Sequence, residues 1–141
     1  FEYTPVVFNA NQTVDNKREP IYHTNVMMCL AETFAVICLA SIDDKKEQKN
    51  VLKHLKEDGK KVIEISEEQV TKFAGNMLQV RGANDELFLV MSDAAHDSLN
   101  QSQLAQIGNH CKIITSSLDT IEACGGGSAR CMMAEVFLPR G

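Results

Sequence analysis

The chain has 141 residues, 44% of them hydrophobic and 23% charged, with a formal net charge of −5. That length suits one modest domain of ordinary globular composition, and the acidic balance argues against a nucleic-acid surface. No apolar run reaches the ~20 residues a membrane helix needs; residues 26–40 come nearest, and Glu32 and Thr33 interrupt them.

Taken in order, residues 1–20 turn polar after the first few and read as a loop-rich segment with no secretory leader. Residues 21–30 and 34–41 are two apolar runs split by a short break, a hairpin or two sequential strands. Residues 43–58 are charged, with Val51, Leu52 and Leu55 on one face. This pattern predicts a surface helix capped by Asp43 or Asp44 and stopped at Gly59. Residues 61–65 read as a strand. Ser66 and Gln69 then form a capping-box pattern ahead of a short helix to residue 73. Strands are expected at 76–80 and 86–91, flanking a turn at 82–85. A second surface helix is expected over 99–109, with Leu104 and Ile107 inward. A strand at 112–115 and a short helix at 117–123 follow. The apolar run 131–138 reads as a last, buried strand behind the glycines Gly125, Gly126 and Gly127.

This order repeats. Asn25 and Asn76, Ser41 and Ser92, and the strands beginning at Lys61 and Lys112 all keep an offset of 51 residues. The segment 74–76 then falls on the triple glycine 125–127. Internal periods of this size mark stacked or radially arranged units. Each unit is about ββαβ, so the expected class is α/β with units at about 21–72, 73–123 and the start of a third at 124–141. Two such units alone leave open strand edges. The rest of a ring is therefore expected in further sequence or a partner chain.

Chemistry concentrates at the glycines. A triple glycine lets a ligand or another backbone approach closely, and Cys131 follows four residues on. By the 51-residue offset His23 and Cys131 lie near equivalent mouths of different units, which makes them plausible neighbours. Each residue also has a plainer reading: Cys131 as a buried thiol, His23 as an ordinary hydrogen-bonded histidine. The five cysteines are an odd number with no paired spacing. Cys29, Cys38 and Cys111 sit in apolar runs as small hydrophobes, which points to a reducing cytoplasm. His54, His96 and His110 read as helix-surface or helix-end residues. No spacing of Cys and His suggests a metal.

The segments PIYHTNVMMC (20–29), FAGNML (73–78) and GGGSARCMMAE (125–135) resemble the guanidino-group-modifying, or pentein, superfamily. Its members include arginine deiminase, dimethylarginine dimethylaminohydrolase, agmatine deiminase and the amidinotransferases. Within it the chain looks nearest to the bacterial citrulline-hydrolase-like amidinotransferase branch. The resemblance implies a five-unit α/β propeller, of which this chain is the C-terminal part of one catalytic domain, about two and a half units. It implies that roughly the first half lies elsewhere, in the same or a partner chain, and it leaves homo-oligomers open. It assigns Cys131 as nucleophile and His23 as general acid/base, with no cofactor and no metal. The substrate would be a small ureido or guanidino compound: citrulline, arginine or a derivative. Asn25 and Arg130 would touch substrate, and Gly125, Gly126, Gly127, Ser128 and Asn76 would shape the loop. For Asn76, holding the loop by hydrogen bonds is preferred over touching substrate.

Two residues depart from the family pattern. Asn25 stands where many relatives carry Asp, two residues after the histidine. An amide both donates and accepts, which suits a neutral ureido group better than a cation. Arg130 stands where many relatives carry His. Three functions follow as expectations: a cysteine hydrolase of C–N bonds, or an amidinotransferase by the same chemistry; a non-catalytic propeller that acts as a binding module; and a catalytic fragment inactive alone. The substrate-gripping carboxylates are expected mainly outside this stretch, with Asp15, Glu19 and Glu32 the nearby candidates.

Overall fold

A computed structural model describes residues 4–134. Two three-stranded sheets of the same design carry the fold. In the first, β3 (Met28–Leu30) pairs antiparallel with β4 (Phe34–Ile37), which pairs parallel with β5 (Lys61–Glu64). In the second, β6 (Leu78–Arg81), β7 (Leu87–Ser92) and β8 (Lys112–Ser116) repeat that order and those directions. A parallel neighbour needs a crossover, and helices supply it. Helix α1 (Lys45–Glu57) links β4 to β5; α3 (Asp93–Ser98) and α4 (Gln101–Gly108) link β7 to β8. The short α2 (Glu67–Thr71) leads from the first sheet to the second, and α5 (Asp119–Gly125) and α6 (Ala129–Met132) follow β8.

The ends of α1 and the start of α2 are set by residues foreseen from the sequence. Asp44 caps α1 through Lys46 and Glu47 N–H, and Gly59 takes the left-handed conformation past its end. Val51 and Leu55 face the core, with Leu52 half-buried beside them. Ser66 and Gln69 form the expected capping box on α2; Asn100 and Gln103 form a second on α4. The two glutamines then bond each other side chain to side chain, at 2.8 and 3.0 Å. They tie the helices of the two sheets together. One hydrophobic cluster spans both sheets, with Met27, Phe34, Ile37, Ile63, Leu89, Met91 and Ile107 sealed from solvent. Cys29 and Cys38 belong to it, as expected.

The polar segment near the start is not a loop. Strands β1 (Asn11–Val14) and β2 (Lys17–Pro20) form a hairpin whose two turn residues, Asp15 and Asn16, both have positive φ. That backbone suits a two-residue turn between right-twisted strands, and Asp and Asn adopt it more readily than most residues. The strands lack apolar alternation because ion pairs, not a greasy face, dock them. Arg18 bonds Asp43 and Glu67, each at 2.6 Å, and reaches the Ala40 carbonyl. Asn11 also donates to Asp43, and Asn9 to Glu47.

The hydrogen bonds from Arg18, then Asn11, hold the Asp43 carboxyl below its ordinary range. A depressed carboxylate stabilises the docked state above its unfolded pKa, and that contribution fades as pH falls through the folded value. Acidification below about pH 4, the usual aspartate range, should therefore loosen the hairpin before the core. Arg18→Ala should loosen it at neutral pH. Amide exchange in β1 and β2, measured against β4, checks both. Unchanged protection in the variant would count against the clamp.

Three further elements differ from the sequence reading. The run 21–30 contributes only Met28–Leu30 as strand; His23 caps a 3-10 turn, Thr24–Val26. Ser92 caps an unforeseen helix, α3, directly after β7. Cys131 lies in α6 rather than opening a buried strand, and both Cys131 and Met132 are exposed. Short apolar runs do not distinguish strand from helix. Here the Cys131 N–H bonds Ser128 O and the Arg130 N–H bonds Asn76 O, which bends the segment into a turn. The later part of that expected strand, residues 135–138, lies outside the described residues.

Candidate active site

Asn76 is the hub on which the site is assembled. It is 3% exposed and sits in the connection between α2 and β6. Its Oδ1 accepts the Ser128 backbone N–H at 2.9 Å, so its Nδ2 is the end that faces the other way. That nitrogen donates to the Asn25 carbonyl at 3.0 Å and to Cys131 Sγ at 3.1 Å. Both amide hydrogens are thus engaged, and three separate stretches of chain are joined by one side chain. Asn76 therefore joins the Ser128 turn, the Asn25 turn and the Cys131 sulfur.

The loop before Asn76 makes that junction tight. Phe73 adopts φ +64, and Gly75 packs directly on the backbone of Val26 and Met27. A Cβ on Gly75 would lie 2.9 Å from Met27 Cα and closer still to the Val26 oxygen. The histidine-bearing loop and the Asn76 loop are therefore in backbone contact.

Cys131 is exposed, not sealed in the core. Besides Asn76, the Asn25 side-chain amide points at its sulfur from 3.7 Å. Gly127 packs on the same side chain, since an added Cβ there would fall 2.9 Å from Cys131 Sγ. Gly126 provides the left-handed turn after α5 (φ +65). Positions 25, 76 and 127 keep the 51-residue spacing, so equivalent points of successive units converge on one sulfur atom.

His23 stands on the same turn as Asn25 and is exposed. Its Nδ1 accepts the Asn25 backbone N–H at 3.1 Å, which puts the proton of the neutral ring on Nε2. The imidazole and the sulfur are not hydrogen-bonded to each other; the structure brings Asn25 to the thiol and leaves His23 two residues away. Arg130, between the buried Ala129 and Cys131, is half-buried. Ser128 is fully buried and donates to Glu122 Oε1 at 2.6 Å.

Glu122 is the carboxylate beside the site that sequence reasoning missed. It lies in α5, six residues before Ser128, in no motif. The acidic candidates named from sequence lie elsewhere. Glu32 pairs with Arg81 at 2.6 Å, Asp15 is a hairpin-turn residue, and Glu19 is exposed on β2. Of the other thiols, Cys29 and Cys38 are buried, burial pushes the Cys111 thiol up, and Cys124 is exposed like Cys131. His110 bonds Thr33 and stacks near Phe34, a packing role, while His54 and His96 lie beside Glu57 and Asp97. Among the described residues no cluster of three or more His, Cys, Asp or Glu could hold a metal ion, and no helix is long and apolar enough to cross a membrane.

Known proteins resemble this chain in sequence family and in fold. The family model described as N,N dimethylarginine dimethylhydrolase, eukaryotic, matches residues 1–138. The crystal structure of apo ArgZ, an arginine dihydrolase from the ornithine–ammonia cycle in cyanobacteria, is similar with a TM-score of 0.62 at 18% identity. The alignment covers 84% of this chain but 17% of that one, and at such identity the likeness is one of fold. No curated protein sequence matches.

Proposed function

The chain belongs to the N,N dimethylarginine dimethylhydrolase family, within the pentein superfamily, and we propose that it carries the nucleophile half of a cysteine hydrolase acting on C–N bonds of guanidino or ureido compounds. The observation that carries this reading is the exposed Cys131 sulfur held between the Asn76 and Asn25 amides, on the turn that bears His23. A thiolate attacks the central carbon of the substrate, forming a C–S bond. The tetrahedral adduct then expels an amine or ammonia, which leaves protonated. Water attacks the thio-intermediate, the C–S bond breaks, and the thiolate is restored. Two moderate barriers replace one high one. His23, through Nε2, is suited to give the proton to the leaving nitrogen and to take one from water. No step calls for a metal or organic cofactor. Transfer to an amine in place of water would make the same machinery an amidinotransferase.

In this proposal the two sheets are two units of an α/β propeller, and the remaining units, with the substrate-gripping carboxylates, lie outside this chain. The meeting of positions 25, 76 and 127 supports units arranged about one axis. The test is direct. The protein, with any co-purifying partner chain, is incubated with dimethylarginine, arginine and citrulline, and release of amine, ammonia and ornithine is followed. Mass spectrometry of an acid-quenched mixture should find the adduct on the peptide that begins at Cys131. Absence of turnover on all three, with the propeller complete, would overturn the reading.

Asn25 governs preference within the class. Its amide at 3.7 Å from the sulfur is well placed to meet the group under attack, and it can serve a ureido oxygen as well as an N–H donor. Asn25→Asp should shift relative kcat/KM towards cationic guanidines by about tenfold, the scale of one charge-assisted hydrogen bond. An unchanged ratio would remove Asn25 from specificity.

A further inference from the structure

We infer that Glu122 is a positioning residue: its carboxylate, acting through the Ser128 hydroxyl, fixes the triple-glycine turn and so sets where the Cys131 sulfur stands. This rests on the reading of Cys131 as the nucleophile. Residues 125–127 are three consecutive glycines, the stretch with the most backbone freedom to lose on ordering. An unrestrained link of that kind would let Cys131 wander, and reacting atoms must be held in a narrow geometry. Little around the first two glycines restrains them. An added Cβ on Gly126 would meet nothing within 4 Å, and one on Gly125 only an Ile121 methyl of the same helix, at 4.0 Å. No residue of α5 is buried, so core packing does not anchor the helix that precedes them.

A side-chain hydrogen bond spans the glycines instead. The Ser128 hydroxyl donates to Glu122 Oε1 at 2.6 Å, the short length of a hydroxyl–carboxylate bond. It ties the two ends of the stretch 122–128 together. Ser128 is fully buried, so its hydroxyl would be left without an acceptor if the carboxylate were removed. From Ser128 the constraint passes on through the backbone. Its N–H donates to Asn76 Oδ1 at 2.9 Å, and its carbonyl accepts the Cys131 N–H at 3.0 Å. Gly127, inside the tied stretch, packs on the Cys131 sulfur. A shift of Ser128 or Gly127 therefore moves Cys131 relative to the Asn76 and Asn25 amides.

The experiment compares Glu122→Ala, Glu122→Gln, Ser128→Ala and the double variant Glu122→Ala/Ser128→Ala with the parent, in the complete protein. Glu122→Ala should lower kcat about a hundredfold, the scale of a misplacement of about 1 Å, with KM unchanged. Glu122→Gln keeps an acceptor oxygen and should recover to within about tenfold of the parent, the scale of one weakened hydrogen bond. The double variant should be no worse than Ser128→Ala alone, since both changes cut the same link. Amide exchange reads the turn without substrate. In Glu122→Ala the Ser128 and Cys131 amides should exchange about tenfold faster, with those of β7 unchanged.

A structural role alone would lower the melting temperature and leave kcat of the folded variant at the parent value; that result overturns the inference. So do additive losses in the double variant, and so does a loss carried by KM with kcat kept, which would put Glu122 on the substrate. If one single variant does not fold, the other is read against the same criteria. A parent without turnover sinks the hydrolase reading, and exchange then decides this inference: faster exchange supports it and unchanged exchange overturns it.

Discussion

Cys131→Ser should abolish hydrolysis in the complete protein, lowering kcat by about a thousandfold or more, as removal of a covalent nucleophile does. The hydroxyl would occupy nearly the same place, within reach of the same amides. It would remain protonated at neutral pH, and two amide donors do not make an alkoxide of serine. The variant should fold normally. Cys131 is exposed, and a surface change of one atom falls within about 0.5 kcal/mol. Turnover assays paired with thermal melts check both halves. Substantial hydrolysis by a folded Cys131→Ser protein would refute covalent catalysis at this position.

Gly75→Ala should be the most damaging single methyl in the described chain. The new Cβ would fall 2.8 Å from the Met27 carbonyl carbon and 2.9 Å from its Cα. Those are backbone atoms between a 3-10 turn and β3, so no side chain can swing aside to make room. Forcing the two loops apart should cost about 3 kcal/mol, the upper end for overpacking a close contact. The same displacement would pull Asn25 from Asn76, and a misplacement of about 1 Å near reacting groups can cost about a hundredfold in rate. Gly108→Ala is the matched control. It closes α4, nothing lies within 4 Å of its added Cβ, and it should be neutral or stabilising by up to about 1 kcal/mol. Chemical denaturation of both variants tests the contrast. Equal stabilities would mean that the loops are not locked as described.

The regular part of the fold was legible because its signals are local. The charged helix after Asp44, the Ser66 capping box and the strands after Gly59 and Asn109 announce themselves through caps and periodicity. The first hairpin did not. Its strands carry Lys, Arg, Glu, Asn and Gln, and what docks them is Arg18 reaching residues 25 and 49 positions away. Helix α3 was hidden for a different reason: six residues behind a serine cap form too short a window for helical period. At the site, the repeat and the motifs pointed to His23 and Cys131 as neighbours, with Asn25, Asn76 and the glycines around them; the structure sets Asn25, Asn76 and Gly127 against the Cys131 sulfur, with His23 bonded to the Asn25 backbone instead. The strand expected at Cys131 failed because backbone bonds from the Cys131 and Arg130 N–H groups to the Ser128 and Asn76 carbonyls outweigh the strand preference of an apolar run. Glu122 had no spacing to reveal it; only the turn that buries Ser128 does.

The amides gripping Cys131 come from residues 106 and 55 positions earlier in the chain. Contacts of such separation form late, after long loops have been closed at an entropic cost. A chain still leaving the ribosome, or one whose two sheets have parted, would present that sulfur without either amide. Chemical competence would then be a product of maturation, withheld from half-made protein and surrendered on damage. Reactivity at this one atom could be used to time the final docking event during refolding.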